Sequence, residues 1–350
     1  MATSSARRLR ELGIVLGDLK PGARNSITDV PGVAVGHATL KGGSINTGVT
    51  AILPHGGNIF RDKVMATSVV FNGFGKTTGL VQVDELGAIE TPILLTNTLS
   101  VGTAAEALVS YKLRRNPEIG LTTGTVNPIV SECNDSFLND IRGLHVKASH
   151  VDEAIGAAAT DFAQGAVGGG TGMTAYGLKG GIGSASRQIE MKGETYLLGI
   201  LVLANFGKPD DLTIGGRPIG RRIAEAKRAK STPDAGSIII VLATDLPASE
   251  RQLLRIARRT SIGLGRTGSH LGHGSGDLCI AFTTANRIDH NERQAVIQWR
   301  ALAEPWIDAA FRAAVEATEE AVIDAMLAAD PMVGRDGNRR ESLRDFLHLL

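Results

Sequence analysis

The runs that most constrain this chain are apolar on consecutive residues, not on alternate ones. From Ile238 to Ala243 the sequence reads "IIIVLA", and "TYLLGILVLANF" (195–206) and "DLCIAFTTA" (277–285) are of the same kind. Successive strand residues point to opposite faces, so a strand with one solvated face alternates apolar and polar side chains. A strand apolar on both faces must be covered on both. "TSVVFN", "TPILLTNT" and "VNPIVSE" supply further strands, and helix-like stretches follow Ser100, Val151, Pro247 and Pro305. The expected class is layered α/β, with a sheet sandwiched between other layers, and not an all-β fold or a helical bundle.

Pro247 can occupy a first helical turn, with Leu253, Ile256 and Ala257 at helical spacing behind it. From Ile307, apolar residues recur at Phe311, Ala314, Val315, Val322, Ala325 and Met326, with Glu316, Glu319 and Glu320 between them. That pattern predicts a long amphipathic helix. The tail after Asp330-Pro331 ends in an apolar cluster that can dock on the body or on a neighbouring subunit. Residues 217–235 are dense in Lys and Arg and poor in large apolar side chains, which predicts an exposed linker with a short helix. Such a segment is where a chain can be opened without dismantling its core, and it runs up to Gly236.

A length of 350 residues permits one large domain or two smaller ones, and we expect a single domain over 1–350. A net charge of +1 leaves no footprint for nucleic acid or an anionic membrane. Cys133 and Cys279 are the two cysteines and stand in no metal spacing, so neither a disulfide framework nor a zinc cluster is expected. The first dozen residues lack an apolar core of signal-peptide length, and nowhere do 18 apolar residues run together, which leads to a cytoplasmic expectation. The 43 glycines are nearly twice the usual share of about 7%, pointing to a site built largely from main chain.

Two glycine-rich stretches imitate nucleotide sites. "NGFGKTTG" (72–79) has the tail of a phosphate loop, but the glycine required five residues before Gly75 is Val70. In "GAVGGGTGMTAYGLKGGIGSASR" (165–187) no G-x-G-x-x-G opens a helix with an acidic residue at the right distance, so the stretch reads as turns lining a pocket. The eight histidines show no H-E-x-x-H spacing, and His273 stands out only because it lies near Ser275. No cofactor or metal is called for.

The chemistry gathers where apolar runs begin or end. "LGHGSGD" places Ser275 between glycines with Asp277 two residues on. Asn205 closes the strand ending in "ANFG", where a side-chain amide can serve as an oxyanion donor. Glu132 ends a third strand, a carboxylate able to hold a substrate ammonium. In "DAGSIIIVLATD" a glycine-serine pair abuts the apolar run, which raises the possibility that the Gly236–Ser237 bond is meant to break.

Together, "PHGGN", "NGFGKTTGL", "DELGAIETPILLTNTLSVG", "ECNDSFLNDI", "GGGTGMTAYGLKGGIGSASR", "ANFG", "GSIIIVLATD" and "GSGD" resemble the L-aminopeptidase/D-esterase family, which includes the β-peptidyl aminopeptidases, from about Asp18 to Ala329. The resemblance implies a four-layer αββα sandwich, like that of N-terminal nucleophile hydrolases but differently connected. It further implies self-cleavage into 1–236 and 237–350, with the freed Ser237 as nucleophile and its own amine as base. Ser275 and Asp277 then orient nucleophile and amine, Asn205 donates to the oxyanion, and Glu132 binds the substrate's amino group. Asn134 stands where some members carry a tyrosine that also contacts the oxyanion. By the same resemblance the substrates are small peptides, amides or esters with a free amino group, and processed protomers assemble as a homo-oligomer, a tetramer. Two rival readings are an acyltransferase of the ornithine acetyltransferase type, whose nucleophile is threonine, and an oligomeric binding protein that never processes.

Overall fold

The computed structural model describes residues 8–227 and 236–350. Antiparallel β1 (Ala34–Gly42) and β2 (Ile45–Leu53) lead to β3 (Asp62–Gly73). The two-residue strands β4 (Thr77–Thr78) and β5 (Ala88–Ile89) flank α1 (Leu80–Leu86). Then come β6 (Ile93–Asn97), α2 (Val101–Arg115), β7 (Ile129–Cys133) and α3 (Ala148–Gly156). A small hairpin, β8 (Thr174–Ala175) and β9 (Leu178–Lys179), precedes β10 (Gly181–Met191) and β11 (Glu194–Asn205). The rest is α4 (Ile219–Lys227), β12 (Gly236–Thr244), α5 (Glu250–Ala257), α6 (Thr260–Arg266), β13 (Ser275–Asp289) and α7 (Ile307–Ala328), ending in the pair β14 (Met332–Val333) and β15 (Arg339–Arg340).

Two sheets carry the architecture, one ordered β1-β2-β6-β7-β4 and the other β10-β11-β12-β13-β3-β5. The consecutive apolar runs account for their stacking. On β12, Ile239, Val241 and Ala243 pack between the sheets with Ile52, Ile93 and Leu95 of the facing sheet. Its alternate residues Ile238, Ile240 and Leu242 pack on the other side against Ala314, Ala317 and Val322 of α7 and Ile256 of α5. The first sheet turns Ala51, Leu94 and Val130 outward onto Ala104 and Leu108 of α2 and Val151 of α3. Helices, sheet, sheet and helices thus form the expected αββα sandwich. No helix among the described residues is long and apolar enough to cross a membrane.

Several local expectations change. Pro247 lies outside the helix it was expected to begin, because Ser249 caps α5 and accepts the Gln252 N–H. β10 emerges from the glycine-rich stretch read as turns, its Ser184 and Ser186 bonding the 22–29 segment instead of solvent. The glutamates of α7 form no solvated face: Glu316, Glu319 and Glu320 are buried, the first and last on the guanidinium of Arg187. The tail docks on the body of its own chain through Leu343 and Phe346. The short helix expected in 217–235 is α4, and residues 228–235 lie outside the described residues.

Candidate active site

Strand register assembles the site at one end of the sandwich. Ser237, second residue of β12, pairs with Asn205 at the end of β11 and, on its other side, with Gly276 of β13. From the facing sheet, Glu132 and the loop residue Asn134 arrive at the end of β7, and Thr98 follows β6. All of these except Gly276 line a cavity of about 300 Å³, with Gly236, Lys76, Phe137 and Arg340 among its other walls.

The Ser237 hydroxyl is buried and has no hydrogen-bond partner among the described residues. A hydroxyl that lines a cavity without a protein partner is open to one supplied from the cavity side. Nearby Cys133 is no rival nucleophile. Its thiol is buried against the Leu203 and Ser237 carbonyls at 3.4 and 3.3 Å, and burial pushes it well above its usual pKa.

Asn205 is fixed at both ends of its amide. Its Oδ1 accepts the Thr174 N–H at 2.9 Å, and its Nδ2 donates to the Asn134 carbonyl at 3.0 Å. An amide nitrogen carries two N–H groups, so one remains to donate beside Ser237. The Glu132 carboxylate is held by the main-chain N–H of Lys76 at 2.9 Å and by the Thr98 hydroxyl. Burial raises its pKa, partly offset by those two donors and by the Lys76 charge. The Asn134 side chain is exposed and turns to its own loop, accepting the Ser136 N–H at 3.0 Å.

Ser275 and Asp277 form a pair, with Ser275 Oγ donating to Asp277 Oδ1 at 2.6 Å, and both are buried. They flank Gly276, the residue paired with Ser237. Side-chain alternation sets them on the outer face of the sheet with Cys279 and Ala281, whereas Ser237 shares the inner face of Ile239. The pair therefore adjoins the main chain of Ser237, and no hydrogen bond joins it to the Ser237 hydroxyl.

Two glycines permit the close approaches. A Cβ on Gly236 would lie 2.1 Å from the Asn205 carbonyl oxygen, and one on Gly276 would lie 2.8 Å from the Gly75 Cα and the Phe74 carbonyl oxygen. The second contact lets the 74–76 loop ride over β13, which brings the Lys76 N–H to Glu132. Sequence reasoning missed the supporting residues Thr98, Thr174 and Asn72. Asn72 pins the loop before Ser275 by donating to the carbonyls of Gly272 and His273, at 3.1 and 3.2 Å, and to that of Ser275. Asn72 lay within "NGFGKTTG", Thr98 within "TNTLS" and Thr174 within "GGGTGMTAYG", but nothing local says that these turns meet a carboxylate, an amide or another turn. Among the described residues no cluster of three His, Cys, Asp or Glu side chains could hold a metal ion.

Residues 25–340 match the model of peptidase family S58. Beta-peptidyl aminopeptidase BapA of Sphingosinicella microcystinivorans is 39% identical over 359 aligned residues, covering 96% of this chain and 89% of that protein. Among solved structures, the PH0078 protein of Pyrococcus horikoshii is 53% identical with a TM-score of 0.93, and 98% of each chain is covered. A beta-aminopeptidase of Burkholderia sp. is 40% identical with a TM-score of 0.89, covering 98% of this chain and 97% of that one. The L-aminopeptidase D-Ala-esterase/amidase of Ochrobactrum anthropi, described as a prototype serine aminopeptidase with a variant of the Ntn hydrolase fold, is 36% identical with a TM-score of 0.89, covering 98% of this chain and 99% of that one.

Proposed function

The chain belongs to peptidase family S58, and on that premise we propose that it is a self-processing aminopeptidase whose nucleophile is Ser237. The peptidase class and the N-terminal nucleophile type of fold come with the family and its relatives. The observation that carries the residue assignment is a buried Ser237 hydroxyl, without a hydrogen-bond partner among the described residues, opening on the same cavity as the Glu132 carboxylate and the Asn205 amide.

In the precursor, Ser237 Oγ attacks the Gly236 carbonyl. The Gly236–Ser237 amide becomes an ester, which water opens to leave 1–236, 237–350 and a new α-amine. An unperturbed α-amine titrates at about 7.7–8.0 and is partly neutral at physiological pH, so it can accept the proton of its own hydroxyl. Asp277, bonded to Ser275 beside that main-chain nitrogen, orients the amine. A substrate then seats its ammonium on Glu132, and Ser237 attacks the first carbonyl with the free Asn205 N–H facing the oxyanion. The amine passes the proton to the leaving group, and water releases the acid from the acyl-enzyme. The substrates are small peptides, amides or esters with a free amino group.

The acyltransferase alternative, with its threonine nucleophile, is not favoured, since the relatives above are aminopeptidases. We further propose a single domain that works in the cytoplasm as a homo-oligomer, and size-exclusion chromatography tests the assembly. The processing claim is tested on a denaturing gel. Wild-type protein resolves into two fragments and hydrolyses aminoacyl amides, whereas Ser237→Ala stays intact and inactive. A wild-type chain that remains whole on long incubation returns the protein to the binding-protein reading.

A further inference from the structure

The cavity around Ser237 is electrically lopsided. Among the described residues Glu132 is its one acidic wall, while Lys76 and Arg340 bring two cations. Lys76 is exposed, but Arg340 is half-buried in a built setting. It lies on β15, whose hairpin with β14 is clamped to the loop after β7. The Arg335 N–H donates to the Leu138 carbonyl at 2.9 Å, and Asn338 Nδ2 donates to the Phe137 carbonyl at 2.9 Å. The guanidinium stacks on the Phe137 ring, its carbon 3.5 Å from the ring centroid. One amino group donates to the neighbouring Arg339 carbonyl at 3.1 Å. Among the described residues its buried Nε has no hydrogen-bond partner and no carboxylate forms an ion pair with it.

A guanidinium held over an aromatic ring, with part of its donor fork unused, is a receptor for a carboxylate. Burial lowers its pKa, as expected of a cation whose partner is absent. Stacking on Phe137 alone would anchor the tail, yet it would not require the group to border the cavity that Ser237 and Glu132 share. At about 300 Å³ that cavity sits at the small end of ligand sites, which suits two or three residues better than a long chain.

We propose that Arg340 determines specificity by taking the free C-terminal carboxylate of the substrate, so that the preferred substrates are zwitterionic di- and tripeptides with ammonium on Glu132 and carboxylate on Arg340. This rests on Ser237 being the nucleophile, and the test separates the two claims. Steady-state kinetics are measured on matched sets of dipeptide, dipeptide amide and aminoacyl p-nitroanilide, with L-alanyl, D-alanyl and β-alanyl donors. A charge-assisted bond contributes roughly 1.5–3 kcal/mol, so wild type should favour the free acid over the amide by about 10- to 150-fold in kcat/KM, mostly through KM. Arg340→Met should lower kcat/KM on the free acid far more than on the amide or the anilide, erasing that preference, and Arg340→Lys should restore part of it.

A wild type that turns over the anilide but treats acid and amide alike overturns the role of Arg340 and leaves Ser237 standing. Equal losses on all three substrates in Arg340→Met likewise reduce Arg340 to a structural anchor. A wild type inactive on every compound, or an active Ser237→Ala, overturns the reading beneath and the proposal with it.

Discussion

Arg187→Met should loosen the grip between the two proposed fragments. Arg187 is fully buried on β10, which lies in the proposed large chain, and its partners Glu316 and Glu320 lie on α7, in the small one. Its Nε donates to Glu316 Oε2 at 3.1 Å and its Nη2 to Glu320 Oε2 at 2.7 Å, while the Leu16 and Glu316 carbonyls take further donors at 3.0 and 3.2 Å. Removing one partner of a buried pair costs about 3–5 kcal/mol, because the other charge is left uncompensated. Here the low end applies. Glu320 keeps Arg10 and Asn25, and Glu316 keeps the main-chain N–H groups of Asp18 and Leu19. Urea titration of processed protein, followed by tryptophan fluorescence, should therefore show a loss of about 3 kcal/mol. The pH dependence has a definite sign. Burial pushes the Glu320 pKa up, but Arg10, Arg187 and Asn25 together outweigh it and hold it below 4.5. A depressed folded-state pKa stabilises above the unfolded value and is lost as pH falls through the folded one, so the gap between wild type and variant narrows only in that acid range. A variant within about 0.5 kcal/mol of wild type at neutral pH would refute the idea that this network joins the chains.

Asn205→Ala should lower kcat by about 10² to 10³ with little change in KM, read on an aminoacyl anilide. Glu132→Gln should raise KM by roughly 10- to 150-fold and spare kcat, the loss of one charge-assisted contact. Because burial raises the Glu132 pKa, wild-type KM should climb on acidification at a pH above the ordinary carboxylate range, while the Gln variant stays flat across it. Gly236→Ala should stay unprocessed on a denaturing gel, since its new methyl meets the Asn205 carbonyl that aligns β11 with Ser237.

The parts of this molecule legible in its sequence are those where a local pattern and a global position coincide. β11, β12 and β13 are apolar on consecutive residues because each is buried on both faces. β10 escaped because its burial is paid in hydrogen bonds: Ser184, Ser186 and Arg187 look like loop or surface residues until the 22–29 segment and α7 supply their partners. The same cause misled the reading of α7, where glutamates at helical spacing suggest a wet face. For the candidate site, the strand-end residues Ser237, Asn205 and Glu132, which the structure brings to one cavity, could be proposed from the sequence, but their supports could not. Thr98, Thr174 and Asn72 act across long stretches of chain, and Arg340 enters the cavity from a tail that carries no motif of its own.

The central claim is that the Oγ of Ser237, freed as a chain terminus, is the atom that carries the acyl group. Mass spectrometry of denatured protein, quenched during turnover of a slow aminoacyl ester, tests it directly. The account predicts a fragment that begins Ser237-Ile238-Ile239 and bears one acyl group on that serine. Acylation at any other residue, or full activity from an uncut chain, would contradict it.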